Sequence, residues 1–338
     1  MSALLKIPSV EVVEGLKPEA IPDEVFESEV PLLLKGMVAD WPAVAACRQS
    51  LDRAAKYLSS FWTDKPVTVY VGDGIDGRFG YNDTFDGFNF RSGKSHLGQV
   101  FEKLAVQQDA ESPQAIYVGS TSVDRWLPGF RNKNDVLIPD QDALVSFWLG
   151  NNTRVSAHFD FPDNVACVVA GQRRFTLFPP DQIDNLYIGP IDRTPSGQAI
   201  SLVDFADPDF ERFPKFEQAL ETAVSYELQP GDAIFIPSMW WHHVESLSDF
   251  NLLVNYWWIS SLPSMGSPIS ALLHAILAVR DLPERQRTAI RKLFDHYVFE
   301  ADESVYAHIP ESGRGCLAPL DEISARQLRA DLLNRLNN

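Results

Sequence analysis

The sequence predicts a mainly β protein: a closed or double-layered β body, preceded by a mixed α/β layer and followed by helices. Two observations carry this. From about residue 115 to 260 the chain is a succession of short β-branched or aromatic runs bounded by Gly, Pro, Asn or Asp. After Pro268 the apolar residues recur at three- and four-residue steps, the period of an amphipathic helix. A chain of 338 residues, 45% hydrophobic and 22% charged, is long enough for one large domain or two ordinary ones.

In order, residues 29–34 form a strand running into Lys35-Gly36, and Asp40-Trp41-Pro42 reads as a stop. Residues 51–61 are helical, the β-branched run 67–71 is a strand, and 97–106 is a second short helix. The strand candidates that follow are 115–119, 144–149, 154–160, 165–170, 174–178, 199–203, 224–228, 233–236 and 252–258. The helical tail comprises 270–280, 283–299 and 321–336, with Asp321 as N-cap of the last helix. Leu272, Ile276 and Val279 share one apolar face, and Leu328, Leu332 and Leu336 share another.

Composition bounds the function. Asp plus Glu number 46 against 29 Lys plus Arg, for a formal charge of -17. That argues against broad nucleic-acid binding, which depends on basic side chains neutralising phosphates. The three cysteines, Cys47, Cys167 and Cys316, are odd in number and widely spaced, which points to a reducing, cytoplasmic setting. The N-terminal MSALLKIPSVEVVEG has no basic stretch followed by a long apolar run, so no secretory signal is expected. No run of 18 apolar residues occurs, and no membrane association is expected.

The chemistry concentrates in Ser156-Ala157-His158-Phe159-Asp160. Residues two apart on a strand point to one face, so His158 and Asp160 present an imidazole and a carboxylate side by side. A third ligand lies in Pro237-Ser238-Met239-Trp240-Trp241-His242-His243, after the turn Gln229-Pro230-Gly231-Asp232. Two histidines and one carboxylate leave open positions, the arrangement of non-haem Fe(II) oxygenases rather than of closed zinc sites. Spacing alone leaves either His242 or His243 as the second imidazole.

The strings AHFDFPDN, GQRRFTLFPPDQ, VDFADPDFERFPKF, PGDAIFIPSMWWHHVESL and LVNYWW resemble the cupin-like JmjC family of Fe(II)- and 2-oxoglutarate-dependent oxygenases. Within it they look closest to the asparaginyl hydroxylase acting on hypoxia-inducible factor. PLLLKGMVADWPA looks like the opening of bacterial cupin-like members, so the resemblance covers most of residues 20–260. It implies a double-stranded β-helix (jelly-roll) at 111–262, an N-terminal α/β layer at 1–110 and a C-terminal helical dimerisation region at 263–338. It also implies His158, Asp160 and His242 as metal ligands and catalytic centre, with His243 turned to the packed side.

Arg173 aligns with the lysine that holds the distal carboxylate of 2-oxoglutarate. The guanidinium is bulkier but can grip a carboxylate bidentately. Tyr117 matches a tyrosine assisting that grip, and Trp257 a pocket wall. Asn164 and Asn255 match asparagines near the iron, where a purely structural network is the alternative. Val155 replaces a threonine that bonds 2-oxoglutarate, so that contact is lost or passes to water or Ser156. Asp192-Arg193 matches a substrate-facing pair. Loops 72–95 and 181–215 are expected at the mouth of the site.

The expected function is a dioxygenase that uses Fe(II), 2-oxoglutarate and dioxygen to hydroxylate a protein side chain or small molecule, acting as a homodimer. The changes at Val155 and Arg173 motivate an alternative, a metal-binding cupin-like sensor or accessory protein.

Overall fold

Two facing β-sheets form the body of the first unit. The structure is a computed structural model that describes residues 11–72, 76–138, 142–260 and 265–337. The chain divides into two compact units, Met1–Ser260 and Ser261–Asn338. The expected boundary at 262/263 and residues 1–10 of the stretch read for a signal lie outside the described residues.

The first unit runs β1 (Glu11–Glu14), α1 (Asp23–Phe26), β2 (Leu32–Lys35), α2 (Pro42–Cys47), α3 (Leu51–Ser59), β3 (Val67–Gly72), β4 (Arg78–Phe79), β5 (Phe90–Ser95), α4 (Leu97–Gln108), β6 (Ile116–Ser122) and α5 (Val123–Trp126). It continues with β7 (Leu144–Gly150), β8 (Arg154–Phe159), β9 (Asp163–Ala170), β10 (Arg173–Phe178), α6 (Phe216–Thr222), β11 (Val224–Leu228), β12 (Ala233–Ile236), β13 (Trp241–Ser246) and β14 (Asn251–Trp258). Among the described residues the large sheet has the order β1-β2-β12-β9-β14-β7-β6-β3-β5 and the small one β11-β10-β13-β8-β4. From β7 to β10 and from β11 to β14 the chain alternates between the two sheets, whereas the consecutive strands β10 and β11 pair antiparallel within the small sheet. This winding is a double-stranded β-helix, the mainly β fold the sequence predicts. Strands β1, β2, β3 and β5 pair into the same large sheet.

Strand alternation sorts the core. On β14, Leu252, Val254 and Tyr256 pack outward with Val100, Phe101 and Leu104 of α4 in the largest cluster. The intervening Leu253 faces inward with Phe175, Leu177 and Val244 of the small sheet. β9 is buried on both faces, which accounts for its unbroken apolar run. A third cluster, including Phe178, Phe205, Phe213 and Phe216, joins the small sheet to the 186–220 segment.

Three local expectations change. Trp41-Pro42 does not end an element but begins one: Trp41 is the N-cap of α2 and Pro42 its first residue, where a missing N–H costs nothing. Residues 199–203 form no strand. Ser201 makes only an isolated bridge to Ile188, and its N–H donates to Ala157 O at 2.7 Å. Between 72 and 95, β4 and β5 occupy part of the expected loop.

The second unit contains α7 (Pro268–Ala278), α8 (Glu284–Phe294), α9 (Ser304–Ala307) and α10 (Glu322–Leu336). Asp321 caps α10 as its spacing predicts, accepting from Ser324 N at 2.8 Å. Among the described residues no helix is long and apolar enough to cross a membrane.

Candidate metal centre

His158 and Asp160 sit at and just beyond the end of β8, and His242 is the second residue of the adjacent β13. The pairing sets His242 opposite His158, with ring centroids 4.3 Å apart. One ligand atom from each of His158, Asp160 and His242 lies within 4.8 Å of the others. His242 Nε2 is 3.6 Å from Asp160 Oδ2.

Both imidazoles are held in one tautomer. His158 Nδ1 lies 2.9 Å from Ser156 O and His242 Nδ1 lies 3.0 Å from Trp240 O. A carbonyl oxygen only accepts, so each Nδ1 carries the proton and each Nε2 keeps its lone pair for a metal. Burial, reinforced by the neighbouring His242, pushes His158 down to about 4, against the pull of Asp160. For Asp160 burial acts upward, but the interaction with His242 and the nearness of His158 hold the carboxyl below its usual range. Two imidazoles and one carboxylate are a donor set that fits Fe(II).

The triad opens into a cavity of about 590 Å³. Arg173, Tyr117, Asn164, Asn255, Trp257 and Val155 all line it. Arg173 is 3% exposed, its Nε has no hydrogen-bond partner, and no acidic side chain forms an ion pair with it among the described residues. Burial pushes its guanidinium down to about 10, with only Tyr117 acting the other way. Burial also raises Tyr117 well above the ordinary tyrosine range, so its hydroxyl stays protonated. Asn255 belongs to a network as well as to the cavity: its Nδ2 donates to Asn164 Oδ1 at 3.2 Å, and its Oδ1 accepts from Trp148 Nε1 at 2.7 Å. The indole Nε1 of Trp257 is buried, makes no hydrogen bond of ordinary geometry, and lies near enough to Asp160 to help hold its carboxyl low.

A bulge reconciles Val155 with the cavity. Two residues three apart on a regular strand face opposite ways, yet Val155 and His158 both line it. The β8–β13 register shifts between His242 and Val244, so Ser156 and Ala157 together oppose His243. Ser156 does not line the cavity, and its carbonyl serves His158. His243 turns away and stacks on Phe205 at 4.4 Å, with neither ring nitrogen hydrogen-bonded. Burial drives its pKa down to about 3, aided by Arg154 and Arg78.

Other expectations part company with the site. Asp192 and Arg193 do not line the cavity, and Arg193 O accepts from Tyr81 at 2.6 Å. From loop 181–215, Ser196 and Gln198 reach the cavity. The described part of 72–95 instead borders a second cavity, with Arg78 and Tyr81. Sequence reasoning missed Thr68, Tyr70, Ser120 and Trp148 as lining residues. The available signal was alternation: Thr68 and Tyr70 interleave with the core residues Val67 and Val69.

The sequence profile of the cupin-like domain family matches residues 18–263. HSPB1-associated protein 1 of Rattus norvegicus is 27% identical over 269 residues, 73% of this chain and 52% of that protein. Lysine-specific demethylase 8 of Danio rerio is 26% identical over 261 residues, 71% and 56% of the two chains. Lysine-specific demethylase JMJ31 of Arabidopsis thaliana is 35% identical over 123 residues, 36% and 22%. The chain thus spans about half the length of these relatives, or less.

Proposed function

Because the chain belongs to the cupin-like domain family, we propose that it is an Fe(II)- and 2-oxoglutarate-dependent dioxygenase that hydroxylates a protein side chain or a small molecule. The observation that carries the reading is one cavity holding an open His-Asp-His donor set and the buried cation Arg173, which has no acidic partner among the described residues. The naming of two relatives as lysine-specific demethylases agrees with the JmjC resemblance. Nothing in the comparisons singles out the asparaginyl hydroxylase, so the hydroxylation itself rests on the resemblance.

In this reading His158 and His242 would hold Fe(II) through Nε2 and Asp160 through a carboxylate oxygen. Iron and 2-oxoglutarate together would supply the oxidative chemistry, with loss of carbon dioxide and formation of succinate. The chain supplies position and charge. Arg173 binds the distal carboxylate of 2-oxoglutarate through charge-assisted hydrogen bonds, and Tyr117 donates its phenolic proton to the same carboxylate. Val155 offers that co-substrate only a methyl surface. Trp257 and Asn164 line the same cavity as the triad, and Ser196 and Gln198 line it from the 181–215 segment, where they would meet a substrate. The acidic chain, at -17, suits a protein or small-molecule substrate better than nucleic acid.

A homodimer belongs to the same proposal. Leu272, Leu332 and Leu336, from the two faces expected to pair, are all exposed in the single chain. A crystal structure with Mn(II) and 2-oxoglutarate tests the site: the distal carboxylate is expected against Arg173. A ligand bound elsewhere, or an Arg173 paired with the protein's own carboxylate, contradicts it.

A further inference from the structure

Asp160 lies one residue beyond the β8–β13 ladder, which ends at the pair Phe159–Trp241. Strand pairing therefore aligns His158 with His242 but leaves the carboxylate-bearing residue outside it. Three hydrogen bonds take over where the ladder stops. Met239 N–H donates to Asp160 O at 2.9 Å, Ser238 Oγ donates to Phe161 O at 2.6 Å, and Ser238 N–H donates to Asp163 Oδ1 at 2.9 Å. All three run from the turn Pro237–Trp240 to the segment Asp160–Asp163.

The same turn holds the other ligand. Trp240 O, its last carbonyl, accepts the Nδ1 proton of His242 at 3.0 Å. The turn is closed by Trp240 N–H to Pro237 O at 3.2 Å and places Met239 at φ 67. A positive φ in the third position of a turn normally selects Gly or Asn. A methionine held there is a strained residue, and such strain persists where the surroundings over-determine it. Ser238 and Met239 form one face of that constraint, and Asp163 the other.

We infer that Ser238 is a positioning residue which, with Asp163, staples the turn before β13 to the segment after β8 and so fixes Asp160 against His242 for metal binding. The inference deepens the metal reading above and rests on it. Removing the hydroxyl frees Phe161 O and loosens the segment that carries Asp160, while leaving every ligand in place. Supporting contacts around metal ligands typically act on affinity by about 10- to 100-fold.

The test is titration of the metal-free 338-residue chain with Co(II), read by visible absorption and calorimetry, with thermal unfolding of each metal-free protein alongside. Ser238→Ala is expected to weaken Co(II) binding by about tenfold and to change the Co(II) spectrum, with little movement in the melting of the metal-free chain. Ser238→Thr, which keeps the hydroxyl, is expected to retain wild-type binding. Asp163→Ala is expected to weaken binding on its own, and the double variant to lose less than the product of the two single losses, because both act on one staple. Wild-type Co(II) affinity and spectrum in Ser238→Ala overturn the inference, as does a loss fully matched by a fall in metal-free stability. Failure of the wild-type chain to take up Co(II) overturns the metal reading and the inference with it.

Discussion

Arg173 is a cation in the interior in want of an anion. Burying an unpaired charge destabilises a fold unless a ligand compensates. Arg173→Met is therefore expected to act in two directions. The ligand-free chain should melt at a higher temperature, and the Kd for 2-oxoglutarate should rise by about 100-fold, roughly 3 kcal/mol. Calorimetric titration and thermal unfolding check the two halves, and an unchanged Kd contradicts the assignment. Histidine burial sets a pH dependence. His158 titrates near 4 and His243 near 3 in the folded chain, both below the ordinary value of about 6.5. As pH falls below about 6.5 the unfolded chain takes up these protons and the native chain does not. Native stability therefore falls with pH, until His158 itself is protonated near 4. At pH 5 the loss is about 2 kcal/mol for each histidine in the metal-free protein. Urea midpoints at pH 7 and pH 5 measure it, and a flat profile contradicts it. At this scale strand spacing was informative for His158 and Asp160, whereas His242 was separated from His243 only by the family resemblance; the three meet within 4.8 Å. Thr68 and Trp148 escaped notice because such residues are common on any strand, and only the closed sheet brings them to the cavity.

Among the elements, β8 and the turn after β9 do the most to build the site. The bulge in β8 turns both Val155 and His158 inward, and no periodicity rule would place residues three apart on one face. Strand β13 was hidden in a tryptophan- and histidine-rich string with no polar alternation, because all its residues are buried. The candidate strand at 199–203 failed for another reason: Leu202 and Val203 pack into the third cluster from a loop, and Ser201 makes only an isolated bridge to Ile188. Between β9 and β10, Gly171 adopts φ +71, and an added Cβ would collide with the Asn251 side chain and Phe250 carbonyl. This turn delivers Arg173 to the start of β10. Gly171→Ala is expected to destabilise the chain by more than about 1 kcal/mol and to weaken 2-oxoglutarate binding. Denaturant unfolding checks the first effect, and wild-type stability contradicts it.

For the whole molecule, turn punctuation and strand composition were enough to read a double-layered β body, since each short run had to bury one or both faces. The order in which strands join was not legible, because pairing of β2 with β12 depends on contacts far apart in the chain. The helical tail was legible from its period, with α7 and α10 close to their expected bounds. Its partner was not, since exposed leucines at Leu272 and Leu277 do not name what covers them. The proposed homodimer is expected to give twice 37.9 kDa by light scattering at micromolar concentration, and a 37.9 kDa species contradicts it. The oxygenase reading is tested most directly by titrating the metal-free chain, without oxygen, first with Fe(II) and then with 2-oxoglutarate. A visible charge-transfer band on adding 2-oxoglutarate, followed by succinate release in air, is the expected result. A chain that binds Fe(II) but neither binds nor consumes 2-oxoglutarate would contradict the account.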